Sequence, residues 1–453
     1  MIVMKFGGTS VRGAGRLQRV AAIVHDRLGE RPLVVTSAMA GVTDALSSLF
    51  EMALEGERER LDAELEELRA LHLAAAAALD RAADTPEAGA LEGHLPGSRC
   101  ALLRGLRLVG TARARSRDAV LGHGELMAQE LLVAALTARG CPAQFVPSTR
   151  VVVTDACFGA ATPDLDGTRR QAAGEIAPLL ERGVVPVLGG YVGATPGGLP
   201  TTLGRGGSDL SASLLGLALG AEAVEIWTDV DGLMTADPRR VNGARVLPRA
   251  TFREAAELAG FGARVLHPAS IDPALEGGVP VLIRNSLAPS RPGTRIDRQG
   301  TGRGGVRAIA SRDAMAEVRL HCPGRTMEGD FLHRLLRVAA GAGAAPIQVA
   351  AGPAGVALVL PAGQAAAAEG RLAELGELQI AAPLGLVAAV GEGLATRPQL
   401  WPRWLEQARD LGMRRIVQGP FGSSLGVLLP ESKVQTLIER WHALCLSCVE
   451  EEL

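Results

Sequence analysis

Hydrophobic and polar positions alternate between two kinds of segment along about the first 290 residues. One kind is short, rich in valine and isoleucine and bounded by glycine, proline or polar residues, which is typical of buried strands. Clear examples are "RPLVVTSAM", "RGVVPVLGGY", "EAVEIWTDV" and "GVPVLIRN". The other kind is rich in alanine, leucine, glutamate and arginine, as in residues 51–83, and favours helix. This alternation predicts an α/β domain with a mainly parallel sheet, in which ligands collect at the carboxyl ends of strands.

The pattern changes near residue 297, where a stretch dense in proline, glycine and arginine indicates a linker. The stretch contains a formal G-x-G-x-x-G from Gly300 to Gly305, which neither follows a strand nor opens a helix, so we predict no dinucleotide site there. The residues beyond it repeat one short strand-and-helix plan twice. We therefore predict a catalytic domain at 1–296, a linker at 297–305 and two small α+β modules within 306–453.

Composition and charge exclude several classes of protein. Hydrophobic residues make up 47% and charged residues 21% of the 453 residues, which is a globular composition. The formal net charge of −2 gives no reason to expect nucleic-acid or membrane binding. The start lacks the features of a signal peptide, and charges interrupt the apolar runs, so we expect a cytoplasmic protein. Six cysteines include one "CLSC" at 445–448, which lacks a second ligand pair, and no metal ligands are predicted.

Lysine occurs only at Lys5 and Lys433, so 45 of the 47 basic residues are arginine. Lys5 lies in "MKFGGTSV", where a strand leads directly into Gly7 and Gly8. Such glycines let backbone N–H groups approach a ligand, and a helix that starts soon after Val11 would add positive potential. The combination favours a phosphate site without a Walker A motif.

The stretch "TTLGRGGSD" places Arg205, Ser208 and Asp209 in a glycine-rich loop ahead of an apolar helix. Arg205 is suited to a carboxylate or phosphate, and Asp209 to Lys5, an amine or a metal. We predict that Ser208 caps the helix. The glycines of this region exceed the needs of a single turn.

Other polar residues allow two interpretations each. Ser37 and Thr43 follow a strand and either bind a ligand or cap a helix, and capping is favoured on their own evidence. Glu125 lies at a predicted helix start, where the helix dipole alone favours an acid. Thr228 and Asp229 end a strand and lead into an acidic segment typical of solvated turns.

Taken together, these segments resemble aspartate kinase, of the amino acid kinase superfamily. The matching segments occur in family order over nearly all of 1–296: "KFGGTSV", "VVTSAMAGVTDAL", "GHGE", "PTTLGRGGSDLSAS", "EIWTDVDGLMTADPR", "FGARVLHP" and "RNSLAPSRPGT". The resemblance implies Mg²⁺- and ATP-dependent phosphorylation of the side-chain carboxylate of L-aspartate. It also implies a three-layer α/β kinase fold followed by two ACT-like regulatory modules, an amino-acid effector, and a homodimer or homotetramer.

The resemblance assigns roles on the substrate side. Arg205 would bind the α-carboxylate of aspartate, and Glu125 its amino group. Ser37 and Thr43 would line the pocket of the β-carboxylate. Tyr191, the single tyrosine, would form an aromatic wall, and Ser208 belongs to the same substrate-binding set.

On the nucleotide side, the resemblance implies that Lys5 stabilises the transferring phosphoryl group while Gly7 and Gly8 donate N–H groups to the phosphates. Asp209 would orient Lys5 and the metal-bound phosphates. The remaining nucleotide contacts would be Thr228, Asp229, Met234, Arg239 and Arg264.

This chain departs from the family pattern at two of these positions. Arg264 stands where the family usually has lysine, and it keeps the charge but differs in shape and hydration. Met234 stands where a tyrosine is frequent, and it keeps an apolar contact without ring stacking.

Two other functions are disfavoured by the sequence. A kinase for glutamate or acetylglutamate is disfavoured by "GHGE", by "FGARVLHP" and by the paired modules. A non-catalytic effector-binding subunit is disfavoured because it would not need Lys5, Arg205 and Asp209 together. Since the sequence ends at Leu453, we expect no dehydrogenase or decarboxylase domain.

We predict that lysine inhibits this chain weakly or not at all. The first module reads "APIQVAAGPAG" where family members commonly present an acidic residue and hydroxyls to the effector. Gln348 can accept a hydrogen bond but cannot neutralise an ammonium group. Initial rates measured with lysine, with threonine and with both test this prediction, and strong inhibition by micromolar lysine would contradict it.

Overall fold

The fold is taken from a computed structural model, which describes residues 1–83, 114–263, 266–267, 270–301, 304–322, 329–394 and 396–450. The chain divides into two compact units. The first unit contains Met1–Leu233, Pro248–Phe252 and Leu266–Gly300, and the second contains Met234–Leu247, Arg253–Val265 and Thr301–Leu453.

An eight-stranded sheet forms the centre of the first unit. Its strands lie in the order β3-β4-β2-β1-β7-β9-β10-β8, and every neighbouring pair is parallel except β9 with β10. They are β1 (Ile2–Phe6), β2 (Pro32–Thr36), β3 (Ala143–Phe145), β4 (Val185–Gly189), β7 (Ala223–Thr228), β8 (Arg249–Thr251), β9 (Val281–Asn285) and β10 (Thr294–Asp297). A separate hairpin joins β5 (Val192–Ala194) to β6 (Pro200–Thr202).

Helices cover this sheet. They are α1 (Ala14–His25), α2 (Val42–Glu55), α3 (Arg58–Ala83), α4 (Ala114–Leu121), α5 (His123–Ala138), α6 (Ser148–Val151), α7 (Leu165–Glu175), α8 (Ala177–Glu181), α9 (Gly207–Leu219) and α11 (Asp272–Gly277), with a 3-10 turn at Leu28–Glu30. Every residue of β1, β2 and β4 is buried, as expected for parallel strands covered on both faces. The predicted α/β fold class is confirmed.

One apolar stretch corrects the expectation that no run reaches the length of a membrane span. Ala114–Ala138, which includes α4 and α5, is long and apolar enough by composition, but 67% of its apolar window is buried inside the fold. Leu131, Leu132 and Leu136 belong to the main core of the unit. Burial inside the fold explains the apolar composition of this stretch, which is therefore weak evidence for a membrane segment.

The second unit is built on a six-stranded antiparallel sheet in the order β12-β13-β11-β14-β16-β15. Its strands are β11 (Ala308–His321), β12 (Gln348–Gly352), β13 (Gly355–Pro361), β14 (Glu377–Val390), β15 (Arg415–Val417) and β16 (Ser424–Pro430). Its helices are α10 (Phe252–Gly260, whose first residue belongs to the first unit), α12 (Gly329–Gly341), α13 (Ala362–Ala373), α14 (Trp401–Glu406) and α15 (Val434–Glu450), with 3-10 turns at Pro398–Leu400, Arg409–Leu411 and Glu431–Lys433.

The two predicted modules share this sheet. One hydrophobic core contains Phe331 and Leu358, and the other contains Trp404 and Trp441, whose rings meet edge to face at 5.6 Å. The 14-residue strands β11 and β14 run through both halves. The two modules are therefore joined by continuous strands rather than by a connecting loop. The register of β11 against β14 shifts between Arg312 and Glu317.

The predicted contiguous domain at 1–296 differs from the observed units. Residues 234–247 and 253–265 pack with the second unit. Ala236 and Val241 belong to the core around Trp404, and the backbone N–H of Ile309 donates to the carbonyl of Thr235 at 2.8 Å. Such long-range packing leaves no local signal in the sequence.

A buried carboxylate forms ion pairs within the sheet of the second unit. Glu317, on β11, is fully buried, and its oxygens pair with Nε of Arg415 at 2.6 Å and Nη2 of Arg319 at 2.9 Å. Nε of Arg414 lies 3.8 Å away. Burial alone would raise the pKa of Glu317, but the hydrogen bonds from Arg415 and Arg319 hold it below its usual value.

We predict that Glu317→Gln lowers the free energy of unfolding by about 2 kcal/mol at about pH 7. The substitution removes the buried negative charge with which several partly exposed arginines pair. A depressed pKa stabilises the fold above the ordinary value of 4.5 and ceases to do so as the pH falls through the folded value. The difference in melting temperature from the wild type should therefore shrink at about pH 4. The exposed Glu369→Gln is the matched control, and equal melting temperatures at neutral pH would refute the prediction.

Candidate active site

The carboxyl ends of four parallel strands meet at one edge of the sheet, and backbone hydrogen bonds join the loops that leave them. The N–H of Ser37 donates to the carbonyl of Phe6 at 3.1 Å, and that of Gly190 to the carbonyl of Thr36 at 2.7 Å. Because parallel strands end on the same side, the loops after β1, β2, β4 and β7 form one site.

Lys5 and Asp209 form an ion pair at this edge. The Lys5 Nζ lies 2.6 Å from Oδ1 of Asp209, and both side chains are largely buried, at 10% and 14% exposure. Lys5 comes from β1, at the centre of the sheet, and Asp209 from the first turn of α9. The predicted partnership of these two residues is thus present in the fold.

Gly7 and Gly8 follow Lys5 and differ from the predicted arrangement. The Gly7 N–H already donates to the carbonyl of Trp227 at 3.0 Å, so it is not free for a phosphate. The chain thus continues its pairing with β7 one residue past β1, and the nucleotide-binding role of Gly7 stays a prediction. The Gly8 N–H has no acceptor within the part of the chain that the structure describes.

The two glycines also differ in what requires them. A Cβ on Gly8 would lie 2.7 Å from the carbonyl oxygen of Ala38, so the packing of the loop after β2 demands glycine there. A Cβ on Gly7 would make only ordinary contacts, at 3.6 Å from the Trp227 oxygen and 3.7 Å from Lys5 Nζ. The protein alone does not require glycine at position 7, which leaves room beside Lys5 for a ligand.

The helix α9 begins at Gly207, and its N-cap is Gly206 with φ 76°. The prediction that Ser208 caps this helix is therefore wrong, since Ser208 lies inside the first turn and the cap makes no side-chain bond. The N–H groups of Ser208 and Asp209 have no acceptor among the described residues. Free N–H groups at a helix start favour an anion.

Arg205 lies in the loop just before this helix. Its side chain is exposed and has no hydrogen-bond or ion-pair partner among the residues that the structure describes. Gly204 and Gly206 on either side have left-handed φ angles of 73° and 76°. An unpaired guanidinium held between two turns is available to bind a carboxylate.

Glu125 is a buried acid in the first turn of α5, with 3% of its surface exposed. Burial raises the pKa of Glu125 to about 8, against the opposing effects of the Ala38 N–H, its own N–H and the positive charge of Lys5. Its Oε2 has no hydrogen-bond partner among the described residues. The dipole interpretation of Glu125 is insufficient, because an acid that only serves a helix start would lie at the surface and would not be buried with one oxygen unbonded.

Tyr191 follows Gly190 at the end of β4 and adopts an unusual φ of 67°. Its N–H donates to Oγ of Ser211 at 3.0 Å, and its carbonyl accepts from the N–H of Leu203 at 2.9 Å. A Cβ on Gly207 would lie 2.8 Å from the Tyr191 ring. The ring therefore packs directly on the start of α9, beside Ser208 and Asp209.

Ser37 and Thr43 do not cap a helix. The N-cap of α2 is Gly41, without a side-chain bond, and Thr43 is the second residue of the helix. The capping interpretation favoured for both residues is therefore wrong. Ser37 follows β2 directly at the ligand edge and is partly exposed.

Thr228 and Asp229 lie at the end of β7, next to β1. The Thr228 hydroxyl donates to Oδ1 of Asp229 at 3.2 Å, and Asp229 is exposed. Asp231 differs from the solvated turn that the sequence suggests, since Asn285 donates to it at 2.7 Å and Arg291 pairs with it.

Three predicted nucleotide contacts do not belong to the described part of the first unit. Met234 and Arg239 belong to the second unit, where Arg239 forms a bidentate pair with Asp237 at 3.0 and 2.7 Å. Arg264 lies outside the described residues. The roles of these residues remain predictions.

Sequence reasoning did not single out one buried acid, Asp118. Asp118, on α4, accepts hydrogen bonds from Gly159 and from Thr202, at the end of β6. An acid in the arginine-rich segment "RARSRD" resembles an exposed helix residue. Its spacing of seven residues from Glu125 was the available signal, because it places both acids on one helix face.

Comparisons with known proteins place the chain in a family. The model of the amino acid kinase family matches residues 1–285. Lysine-sensitive aspartokinase 3 of Escherichia coli (strain K12) is 33% identical over 453 residues, covering 98% of each chain. This chain belongs to the aspartokinases of the amino acid kinase family. Aspartokinase 2, chloroplastic, of Arabidopsis thaliana is 37% identical over 310 residues, which cover 65% of this chain and 54% of that protein.

Solved aspartokinase structures resemble the whole chain. E. coli aspartokinase III in complex with aspartate and ADP matches with a TM-score of 0.83 and 31% identity, covering 98% of this chain and 99% of that one. The predicted family, fold class and enzyme class are thereby confirmed for this aspartokinase.

Proposed function

We propose that this aspartokinase transfers the γ-phosphoryl group of ATP to the β-carboxylate of L-aspartate. The reaction forms 4-phospho-L-aspartate and ADP, and it is the first step in the biosynthesis of lysine, threonine and methionine. A carboxylate oxygen forms the new bond to phosphorus while the bond to the ADP oxygen breaks. The acceptor is already ionised, so no general base is needed and positioning with charge neutralisation suffices.

The observation that carries this proposal is the buried Lys5–Asp209 pair at 2.6 Å. It lies at the ligand edge of a parallel sheet, beside Gly7 and the free N–H of Gly8. A compact ammonium there can follow a phosphoryl group as it moves from ATP to its acceptor. Asp209 fixes the position of that ammonium in the absence of nucleotide.

The substrate side is assigned by charge. Arg205 is the exposed, unpaired cation for the α-carboxylate, and Glu125 is the buried acid for the amino group. Ser37 directly follows β2, and Thr43 lies in the first turn of α2. Both offer hydroxyls to the β-carboxylate. Tyr191 forms the aromatic wall of the substrate pocket, and the free N–H of Ser208 supports the β-carboxylate.

The nucleotide side uses Thr228 and Asp229, with Met234, Arg239 and Arg264 retained from the family resemblance. Asp209 would hold Mg²⁺ together with the phosphates. The donor set fits an ion that arrives with ATP, because the described residues contain no cluster of three His, Cys, Asp or Glu side chains. Mg²⁺ is commonly bound by one or two carboxylates plus substrate phosphates, and it neutralises the phosphate charge when bound.

We further infer that the chain acts in the cytoplasm as a homodimer or homotetramer. An amino-acid effector would bind the second unit, where Gln348 begins β12 and keeps a buried Oε1 without a partner among the described residues. A related enzyme is named lysine-sensitive. The expectation of weak lysine inhibition rests on the neutral amide of Gln348.

We predict that Lys5→Ala reduces kcat at least about a hundredfold, because one preorganised charge on the transferring group is lost. The measurement is ADP release in a coupled assay, with L-aspartate and with L-glutamate as acceptors. Lys433→Ala is the matched control, since Lys433 is the other lysine and is exposed.

The control should retain wild-type turnover, and both variants should keep the wild-type circular dichroism spectrum. Near-normal turnover of Lys5→Ala would remove Lys5 from the mechanism. Wild-type activity with glutamate and none with aspartate would instead reject the proposed substrate.

We predict that kcat/KM for aspartate rises with pH and levels off above about 8, the pKa of Glu125 in the free enzyme. Glu125 must lose its proton to pair with the ammonium group, so a pKa raised by burial weakens aspartate binding below that pH. The slope should approach about tenfold per pH unit below the pKa.

Glu125→Gln is the matched variant, because it keeps the shape of the side chain and cannot titrate. Its kcat/KM for aspartate should be low and independent of pH from about 6 to 9, a range that brackets the Glu125 pKa. A variant profile that still rises like the wild type would show that another group titrates.

A further inference from the structure

The carboxylate of Asp118 is buried, and none of the described residues pairs a cation with it. Only 3% of the residue is exposed, and no described Lys or Arg side chain forms an ion pair with it. Instead, Oδ2 accepts the N–H groups of Gly159 and Thr202, each at 2.9 Å, and Oδ1 accepts the Thr202 hydroxyl at 2.9 Å. Burying a carboxylate is costly unless it is well hydrogen-bonded, so these three donors decide where the acid is tolerated.

The first element that Asp118 holds is the hairpin that leads to Arg205. Thr202 ends β6 and pairs with Val192 of β5, directly after Tyr191. The next residue, Leu203, donates its N–H to the carbonyl of Tyr191 at 2.9 Å. The Thr202 side chain also interacts with the Tyr191 phenol. A shift of Thr202 would therefore move both the aromatic wall and the start of the Arg205 loop.

The second element is the loop from Asp155 to Thr162. Asp155 closes this loop by accepting the N–H groups of Cys157 and Thr162, each at 3.0 Å. A Cβ built on Gly204 would lie 3.3 Å from the carbonyl oxygen of Gly159. The loop thus packs against the turn that immediately precedes Arg205, and Asp118 holds both sides of that contact.

Asp118 and Glu125 belong to one nearly continuous helical column. The N–H of Gly122 donates to the carbonyl of Asp118 at 3.0 Å, and that of Leu126 to the carbonyl of Gly122 at 3.5 Å. Seven residues are two helical turns, so both acids face the same side. The helices α4 and α5, which meet at Gly122, therefore link Glu125, assigned to the amino group, with Asp118, which supports the loop of Arg205.

We propose that Asp118 is a positioning residue that sets aspartate recognition by fixing the Thr202 hairpin and the Gly159 loop relative to Glu125. The proposal rests on the aspartate kinase function argued above. Asp118 does not contact the substrate in this assignment. It holds Tyr191 and Arg205 in place relative to Glu125, so that Arg205 and Glu125 can each meet one of the two charged groups on the α-carbon of aspartate.

Two substitutions test this role without removing the whole network. Thr202→Val deletes only the hydroxyl and keeps the backbone bond to Asp118. Asp118→Asn keeps one acceptor oxygen for the two N–H groups and presents an amide to the Thr202 hydroxyl. The exposed Asp166→Asn is the matched control, since Asp166 pairs with Arg169 on the surface of α7.

We expect KM for aspartate to rise at least about fivefold in Thr202→Val and more in Asp118→Asn. A fivefold change is about what the loss of one hydrogen bond produces. KM for ATP should stay within about twofold of the wild type, since the network lies on the substrate side. The control should match the wild type in both constants.

Either of two results would overturn the proposal. An unchanged aspartate KM in both variants would show that the network does not set recognition. Parallel increases in the KM of ATP and aspartate would show a general structural role. Thr202→Val remains informative if Asp118→Asn does not fold. Absence of aspartate-dependent activity in the wild type would instead reject the proposed function.

Discussion

The buried contact between Lys5 and Asp209 unites the two parts of the first unit on which the site depends. Lys5 is fixed by the central strand β1, which is hydrogen-bonded on both sides, and Asp209 by the first turn of α9. Neither residue can move alone without leaving a largely buried charge unpaired, which is strongly unfavourable. The parallel sheet and the helix start are thus held in a geometry that places the ammonium group of Lys5 at the ends of the strands.

Close backbone approach is the second constraint, and it explains more of the glycines than ligand binding does. A Cβ on Gly190 would lie 2.7 Å from Cα of Ser208, and one on Gly124 would lie 2.8 Å from Cβ of Ala38. These glycines bring β4, α9, α5 and the loop after β2 together. The charged residues reach one another because the backbones that carry them are nearly in contact. Gly7 is different, since nothing in the protein occupies the space of its missing side chain.

Local sequence patterns predicted the sheet and the ligand edge because strand and turn signals are local. They also predicted the Lys5–Asp209 partnership through the family resemblance. Three details could not be predicted from such patterns. The Gly7 N–H is bonded to Trp227, Ser208 lies past the helix start, and Asp118 is buried by a hairpin some 80 residues later in the chain. Each depends on where a distant segment packs. The same is true of residues 234–247, which belong to the second unit although they follow the first in sequence.

The arginine-rich composition gives Lys5 a specific physical meaning. The buried carboxylate of Glu225 is paired with arginines instead, with Arg27 at 2.6 Å and Arg284 at 3.2 Å. A planar fork suits such static pairs, because it forms directed hydrogen bonds to a carboxylate that does not move. A phosphoryl group in transfer changes position between donor and acceptor, and a compact ammonium on a flexible stem can follow it. The single lysine of the first unit therefore lies where a point charge serves better than a fork.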